Sequence, residues 1–222
     1  TITIMEDDEP PTVTLSVSSA SIDEEVGTTS TAVVMTLSGP SSFDVIIDLS
    51  ATGTANFPSD YRITDTKITI PAGGTVGSIS VTALPDQLDE YDETAIIDIQ
   101  SIVKGTEKDG FQQKIVPIID DDPLPVVTLS VGKVSINEGL PENNTTVTLA
   151  LNVVSGRDVT VLLAKTGTAT DNADYTLDTT IVIPTGSLFV TVPLVAVADP
   201  MFEPTTETLV IDIATVTNGL EL

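Results

Sequence analysis

The chain contains one unit twice. Val13-Thr14-Leu15-Ser16-Val17 through Ser21-Ile22-Asp23-Glu24 matches Val127-Thr128-Leu129-Ser130-Val131 through Ser135-Ile136-Asn137-Glu138, and the step from Leu15 to Leu129 sets the spacing at 114 positions. The same step joins Gly53-Thr54-Ala55 and Asp60-Tyr61 to Gly167-Thr168-Ala169 and Asp174-Tyr175, and Ile97-Asp98-Ile99 to Ile211-Asp212-Ile213. Agreement at three separated places makes chance a poor explanation. Whatever fold one copy adopts, the other must adopt too.

The step also carries Glu6-Asp7-Asp8 onto Asp120-Asp121-Asp122. Residues 1–9 therefore read as the orphan last strand of a preceding copy, residues 10–122 as a first domain, and residues 123–222 as a second. Leu222 corresponds to Lys108, so the second domain is expected to lack its last strand and the chain to be a piece of a longer repetitive protein. Pro123-Leu124-Pro125 forms the junction.

Thr, Val and Ile abound and aromatics are sparse, which favours strands over helices. In the first copy, runs of β-branched residues bounded by turn signals fall at Val13 to Val17 with a continuation at Ala20 to Ile22, then at Thr31 to Leu37 and Val45 to Ala51. They recur at Ile68 to Ile70, Gly77 to Ala83, Thr94 to Ser101 and Gln113 to Ile119. The second copy repeats them at Thr146 to Val153, Val159 to Ala164, Thr180 to Ile183, Ser187 to Val197 and Glu207 to Ala214. The expected fold is all-β, as tandem seven-stranded antiparallel immunoglobulin-like β-sandwiches.

Charge narrows the partners. Eight Lys and Arg stand against 33 Asp and Glu, with no His, for a formal charge of −25. Phosphate binding needs clustered cations, so nucleic acid and anionic membrane are excluded as expected partners. With neither Cys nor His, disulfides, the usual zinc ligands and the common catalytic bases are missing. Apolar stretches such as Phe189 to Ala198 are about half the roughly 20 residues of a membrane helix, so no direct membrane insertion is expected. Glu90 and Glu93 could in principle do acid–base work, but no nucleophile–base pair stands out and no enzyme is expected. Asn143-Asn144-Thr145-Thr146 holds overlapping glycosylation sequons, read as a plain loop.

The acids are not spread evenly. In an up-and-down sandwich, the connections after the first, third and fifth strands share one end with the close of the seventh. That end collects Glu24, Asp60, the stretch from Asp86 to Glu93, and Asp120-Asp121-Asp122. Three adjacent carboxylates repel one another and the chain has few cations of its own. Calcium, which takes roughly 6–8 oxygen ligands, could hold them, whereas magnesium demands stricter geometry. The alternative for the triplet is a solvated acidic linker.

Each unit resembles a Calx-beta domain, a calcium-binding sandwich found in sodium–calcium exchangers, an integrin subunit and many large bacterial surface proteins. The resemblance rests on Gly53-Thr54-Ala55 followed by Asp60-Tyr61, on Pro71-Ala72-Gly73, on Asp86, Glu90 and Glu93, and on the closing Asp120-Asp121-Asp122. It implies Ca²⁺ as cofactor, with Glu24, Asp60, Asp86, Glu90, Glu93, Asp120, Asp121 and Asp122 at ligand positions of the first copy. In the second copy Glu138, Asp174, Asp199, Glu203 and Glu207 correspond, with one extra residue between the last two and no closing triplet. Pro85-Asp86-Gln87 replaces a longer acidic run, which leaves the number of ions open.

The expected function is a calcium-binding structural repeat of a large extracellular or cell-surface, adhesin-like protein, with calcium rigidifying the interdomain junction. The alternatives are a regulatory calcium-sensor region of a membrane transporter, and a halophilic surface protein whose acids solvate its exterior. The expected partners are calcium ions and neighbouring repeats. Head-to-tail strand exchange through residues 1–8 is a further expected contact, because an unfinished sheet edge invites a spare strand.

Overall fold

Val13, Leu15, Val33, Met35 and Leu37 alternate with Thr14, Ser16, Val34 and Thr36, so that every second side chain turns inward and is at most 5% exposed. Alternation of this kind suits half-buried strands. The computed structural model describes residues 1–5, 7–24, 29–110, 112–139, 142–198 and 206–222, and among these every regular element is a strand.

In the first copy the strands are β1 (Thr12–Val17), β2 (Ile22–Asp23), β3 (Ser30–Leu37), β4 (Val45–Gly53), β5 (Tyr61–Ile63), β6 (Lys67–Ile70), β7 (Val76–Ala83), β8 (Glu93–Val103), β9 (Thr106–Glu107) and β10 (Gln113–Ile119). One sheet has the order β5-β7-β3-β1-β9 and the other β2-β10-β8-β4-β6. The first run thus changes sheets: β1 pairs with β3, whereas β2 runs parallel to β10. Between the sheets lies one apolar cluster that includes Val33, Met35, Ile47, Ile97, Val116 and Ile118. Burying each such side chain contributes about 1.5–3 kcal/mol. The all-β sandwich expectation is met, with the short strands β5 and β9 added. These two were not legible because two or three paired residues carry no alternation of their own.

The second copy supplies β11 (Val126–Val131), β12 (Asn144–Leu151), β13 (Val159–Gly167), β14 (Tyr175–Thr176), β15 (Thr180–Ile183), β16 (Phe189–Ala196), β17 (Leu209–Thr217) and β18 (Leu220–Glu221). Its sheets have the orders β14-β16-β12-β11-β18 and β15-β13-β17. The repeat extends to irregularities: the β4–β8 register slips between Asp48 and Leu49, and the β13–β17 register slips at the corresponding Leu162 and Leu163. Asn144 opens β12 and pairs with Val195, so the sequon stretch runs into a strand, where a loop was expected.

The chain divides into two compact units. Thr1–Asp86 with Tyr91–Asp121 form the first, and Gln87–Glu90 with Asp122–Leu222 form the second. Thr1–Met5 carries no strand, and Ile2, Ile4 and Met5 are 80% exposed or more.

Candidate metal centre

Gly53 and Gly167 end matching strands with φ of +129° and +127°, a conformation that L side chains rarely adopt. A Cβ on Gly53 would run into the carbonyl of Thr94, and one on Gly167 into that of Thr208. Beyond this turn, the Thr94 N–H donates to Thr54 Oγ1 at 2.9 Å, and the Ala55 N–H donates to the Thr94 carbonyl at 3.1 Å. The Gly-Thr-Ala signature is therefore a clamp that fixes the Ala55–Asp60 loop against the start of β8. Gly53→Ala is expected to cost about 2–3 kcal/mol through strain, measured as a lower denaturant midpoint at unchanged slope.

The clamped loop closes on itself. The Asp60 N–H donates to the Asn56 carbonyl at 2.9 Å, and Asp60 Oδ2 accepts the Asn56 N–H in return. The next residue, Tyr61, points to the core at 2% exposure, its ring centroid 5.8 Å from that of Phe57. The Asp60-Tyr61 pair thus places an acid and an anchor on opposite sides of one strand end. Thr94 holds the loop, and its neighbour Glu93 opens β8 opposite Ile118.

One carboxylate oxygen from each of Asp60, Glu90 and Glu93 lies within 4.8 Å of the other two. Asp60 is buried and the two glutamates are half-buried. Burial disfavours the Asp60 anion, but the Asn56 backbone N–H together with Glu93 and Ser59 outweighs it, leaving the Asp60 pKa below its ordinary value. All three donors are hard oxygens, the set a calcium ion prefers. The residues present fit that ion.

Two more expected acids lie at this end of the sandwich. Glu24 is 6% exposed, and its N–H donates to the Ile119 carbonyl at 3.0 Å, just before Asp120. The Asp120 N–H in turn donates to Asp92 Oδ1 at 3.3 Å. Asp86 and Asp121 are exposed, and neither they nor Asp120 and Asp122 belong to the three-carboxylate group.

In the second copy the Thr170 N–H donates to Asp174 Oδ2 at 2.6 Å, repeating the Asp60 loop. Glu138, Asp174 and Glu207 line a cavity of about 910 Å³. Among the described residues they form no three-carboxylate group. Asp199 and Glu203 lie outside the described residues.

Two features were not read from the sequence. Asp92 looked like one more acid in a run, and only the pairing of β8 with β10 brings it to Asp120. Asp89 is 2% exposed, and its carboxylate accepts hydrogen bonds from Arg157 Nε at 3.0 Å, from the other arm of the guanidinium, and from Ser155 Oγ at 3.0 Å. The Gly156 N–H donates to the Asp89 carbonyl at 3.0 Å, and the Glu90 side chain occupies the space that a Cβ on Gly156 would need. The one available signal was that Arg157 is one of two arginines in so acidic a chain.

The Calx-beta domain family matches residues 6–122 and again residues 120–221. No curated protein sequence matches the chain. Among solved structures, "Crystal structure of CBD12 from CALX1.2" aligns over 79% of this chain and 72% of that one, at 17% identity and a TM-score of 0.41. "Crystal structure of calcium binding domain CBD12 of CALX1.1" covers the same 79% and 71% of its own chain, at 18% identity and a TM-score of 0.41. "Crystal structure of Apo-form Calx CBD1 domain" aligns over 51% of this chain and all of its own length, at 20% identity and a TM-score of 0.42. With two consecutive matches that together span nearly every residue, the chain belongs to the Calx-beta domain family and carries two tandem copies of that domain.

Proposed function

We propose that the chain is a calcium-binding structural repeat region of a large extracellular or cell-surface protein of the adhesin type, in which calcium stiffens the junction between repeats. The convergence of Asp60, Glu90 and Glu93 carries the reading. Glu24, Asp86, Asp120, Asp121 and Asp122 would supply further oxygens to the first site, and Glu138, Asp174, Asp199, Glu203 and Glu207 would hold the second. When bound, the ion supplies positive charge to the three carboxylates. Asp120-Asp121-Asp122 runs into the second copy through only Pro123-Leu124-Pro125, whose prolines restrict the backbone there. The domain boundaries at 9, 122 and 123 belong to the same reading, as does the absence of a catalytic role. Its partners are calcium ions and adjoining repeats.

Family membership supports equally a regulatory calcium sensor attached to a membrane transporter. Among the described residues no helix is long and apolar enough to cross a membrane. Affinity separates the two readings: a sensor binds near micromolar calcium, an extracellular module at roughly 10⁻⁴–10⁻³ M. Small-angle X-ray scattering with calcium and then with chelator tests the structural role. The expected result is a narrower distribution of molecular lengths with calcium. Identical profiles in the two conditions would contradict it.

A further inference from the structure

Along β13 the inward positions are Val159, Val161 and Leu163, each at most 3% exposed, and the next in the alternation is Lys165. A lysine therefore turns into the sandwich at the end where Gly167 leads to the acidic loop, and its side chain is only 10% exposed. In the first copy the same slot holds Ala51, which packs against the apolar cluster. The 114-position step likewise turns Phe57, Tyr61 and Ile63 into Asp171, Tyr175 and Leu177.

An ammonium taken so far out of water needs partners. Lys165 Nζ lies 2.6 Å from Asp171 Oδ2, donates to the Leu177 carbonyl at 3.0 Å and stands 5.7 Å from the centre of the Tyr175 ring, whose face attracts a cation at that range. Asp171 belongs to the outgoing limb of the loop and Leu177 to the returning limb. β14, just before Leu177, pairs with β16, whereas β13 belongs to the other sheet. One side chain thus joins both limbs and both sheets. Burial raises the Tyr175 hydroxyl pKa, and Asp171, Lys165 and Asp174 also act on it, the lysine in the opposite sense. The ammonium therefore shares the surroundings of Asp174, the counterpart of Asp60. The first copy closes the same place with apolar contacts: Phe57 packs on Tyr61, and Ala51 and Ile63 lie against the core. None of these brings positive charge toward Asp60.

We propose that Lys165 is a built-in strap of the second sandwich, tying its two sheets and both limbs of the 168–177 loop, so that this tip keeps its shape without calcium while the first tip depends on the ion. The contrast with the first tip rests on the calcium reading above; the strap does not. The two copies then divide the work, one responding to calcium and the other holding firm in its absence.

Hydrogen–deuterium exchange of the whole chain, read by mass spectrometry on segments 54–63 and 168–177 in chelator and in excess Ca²⁺, tests this. In wild type, 168–177 is expected to be protected almost equally in both buffers, and 54–63 to gain protection with Ca²⁺. K165M keeps the length of the side chain but loses its charge and its donors, and is expected to lose protection at 168–177 in chelator while β12 stays protected. K165R, whose guanidinium can reach the same two acceptors, is expected to restore part of it. If K165M unfolds the whole second copy, D171N decides, because Asp171 lies at the exposed end of the strap: a loss confined to 168–177 supports the proposal and no loss overturns it. Protection of 168–177 that is unchanged in K165M, or that rises with Ca²⁺ in wild type as much as that of 54–63, would also overturn it. A segment 54–63 indifferent to Ca²⁺, with the K165M loss still present, leaves the strap standing and counts against the calcium reading.

Discussion

Arg157→Ala is expected to destabilise the second unit by about 3–5 kcal/mol, the cost of leaving one member of a buried ion pair behind. The Asp89 side chain is 1% exposed and that of Arg157 16%. Removing the guanidinium strands a carboxylate with only Ser155 Oγ, the Arg157 backbone having bonded to that hydroxyl rather than to the acid. Asp89→Ala should cost less, because the partly exposed guanidinium can turn to water. The double variant D89A/R157A should cost clearly less than the sum of the two, since no uncompensated charge remains. Denaturant unfolding of all four proteins gives the cycle; strict additivity would show that the pair does not act as a unit.

Glu90→Gln combined with Glu93→Gln is expected to change stability in opposite directions with and without calcium. At an effective dielectric of 20, two charges 4.8 Å apart repel by about 3–4 kcal/mol. Half-buried glutamates are partly screened by solvent, so the double variant should be about 1–2 kcal/mol more stable than wild type in chelator. With calcium at about 100 times its dissociation constant, wild type gains about 2.7 kcal/mol and overtakes the variant, which gains little. Thermal unfolding in the two buffers reads both effects. A variant less stable than wild type in chelator would mean that the acids are held by structural bonds and not opposed by charge.

How much of this the sequence disclosed depends on the range of the interaction. The 114-position step and the runs of β-branched residues gave the sandwich and its duplication, because alternation is a local property of each strand. Strand parity placed Glu24, Asp60, Glu93 and Asp120 at one end, since reversing direction at each turn needs no knowledge of side-chain contacts. Glu90 and Asp86 lie in the same acidic stretch, yet only Glu90 joins Asp60 and Glu93. Asp89, within the same stretch, bonds to Ser155 and Arg157, a contact across 68 positions that no local pattern encodes. Asp92 was hidden for a similar reason: its bond to Asp120 exists only through the register of β8 with β10. The Gly53 turn was visible as a motif, but its purpose emerged from the carbonyl of Thr94 standing where a side chain would go.

We propose Asp60, Glu90 and Glu93 as the heart of a calcium site. Isothermal titration calorimetry of Ca²⁺ into the chain, beside the variant D60N/E90Q/E93Q, tests it most directly. Saturable binding by wild type, with the tightest event missing from the variant, is the expected result. Wild type that takes up no Ca²⁺, or a variant that binds it as tightly as wild type, would contradict the account.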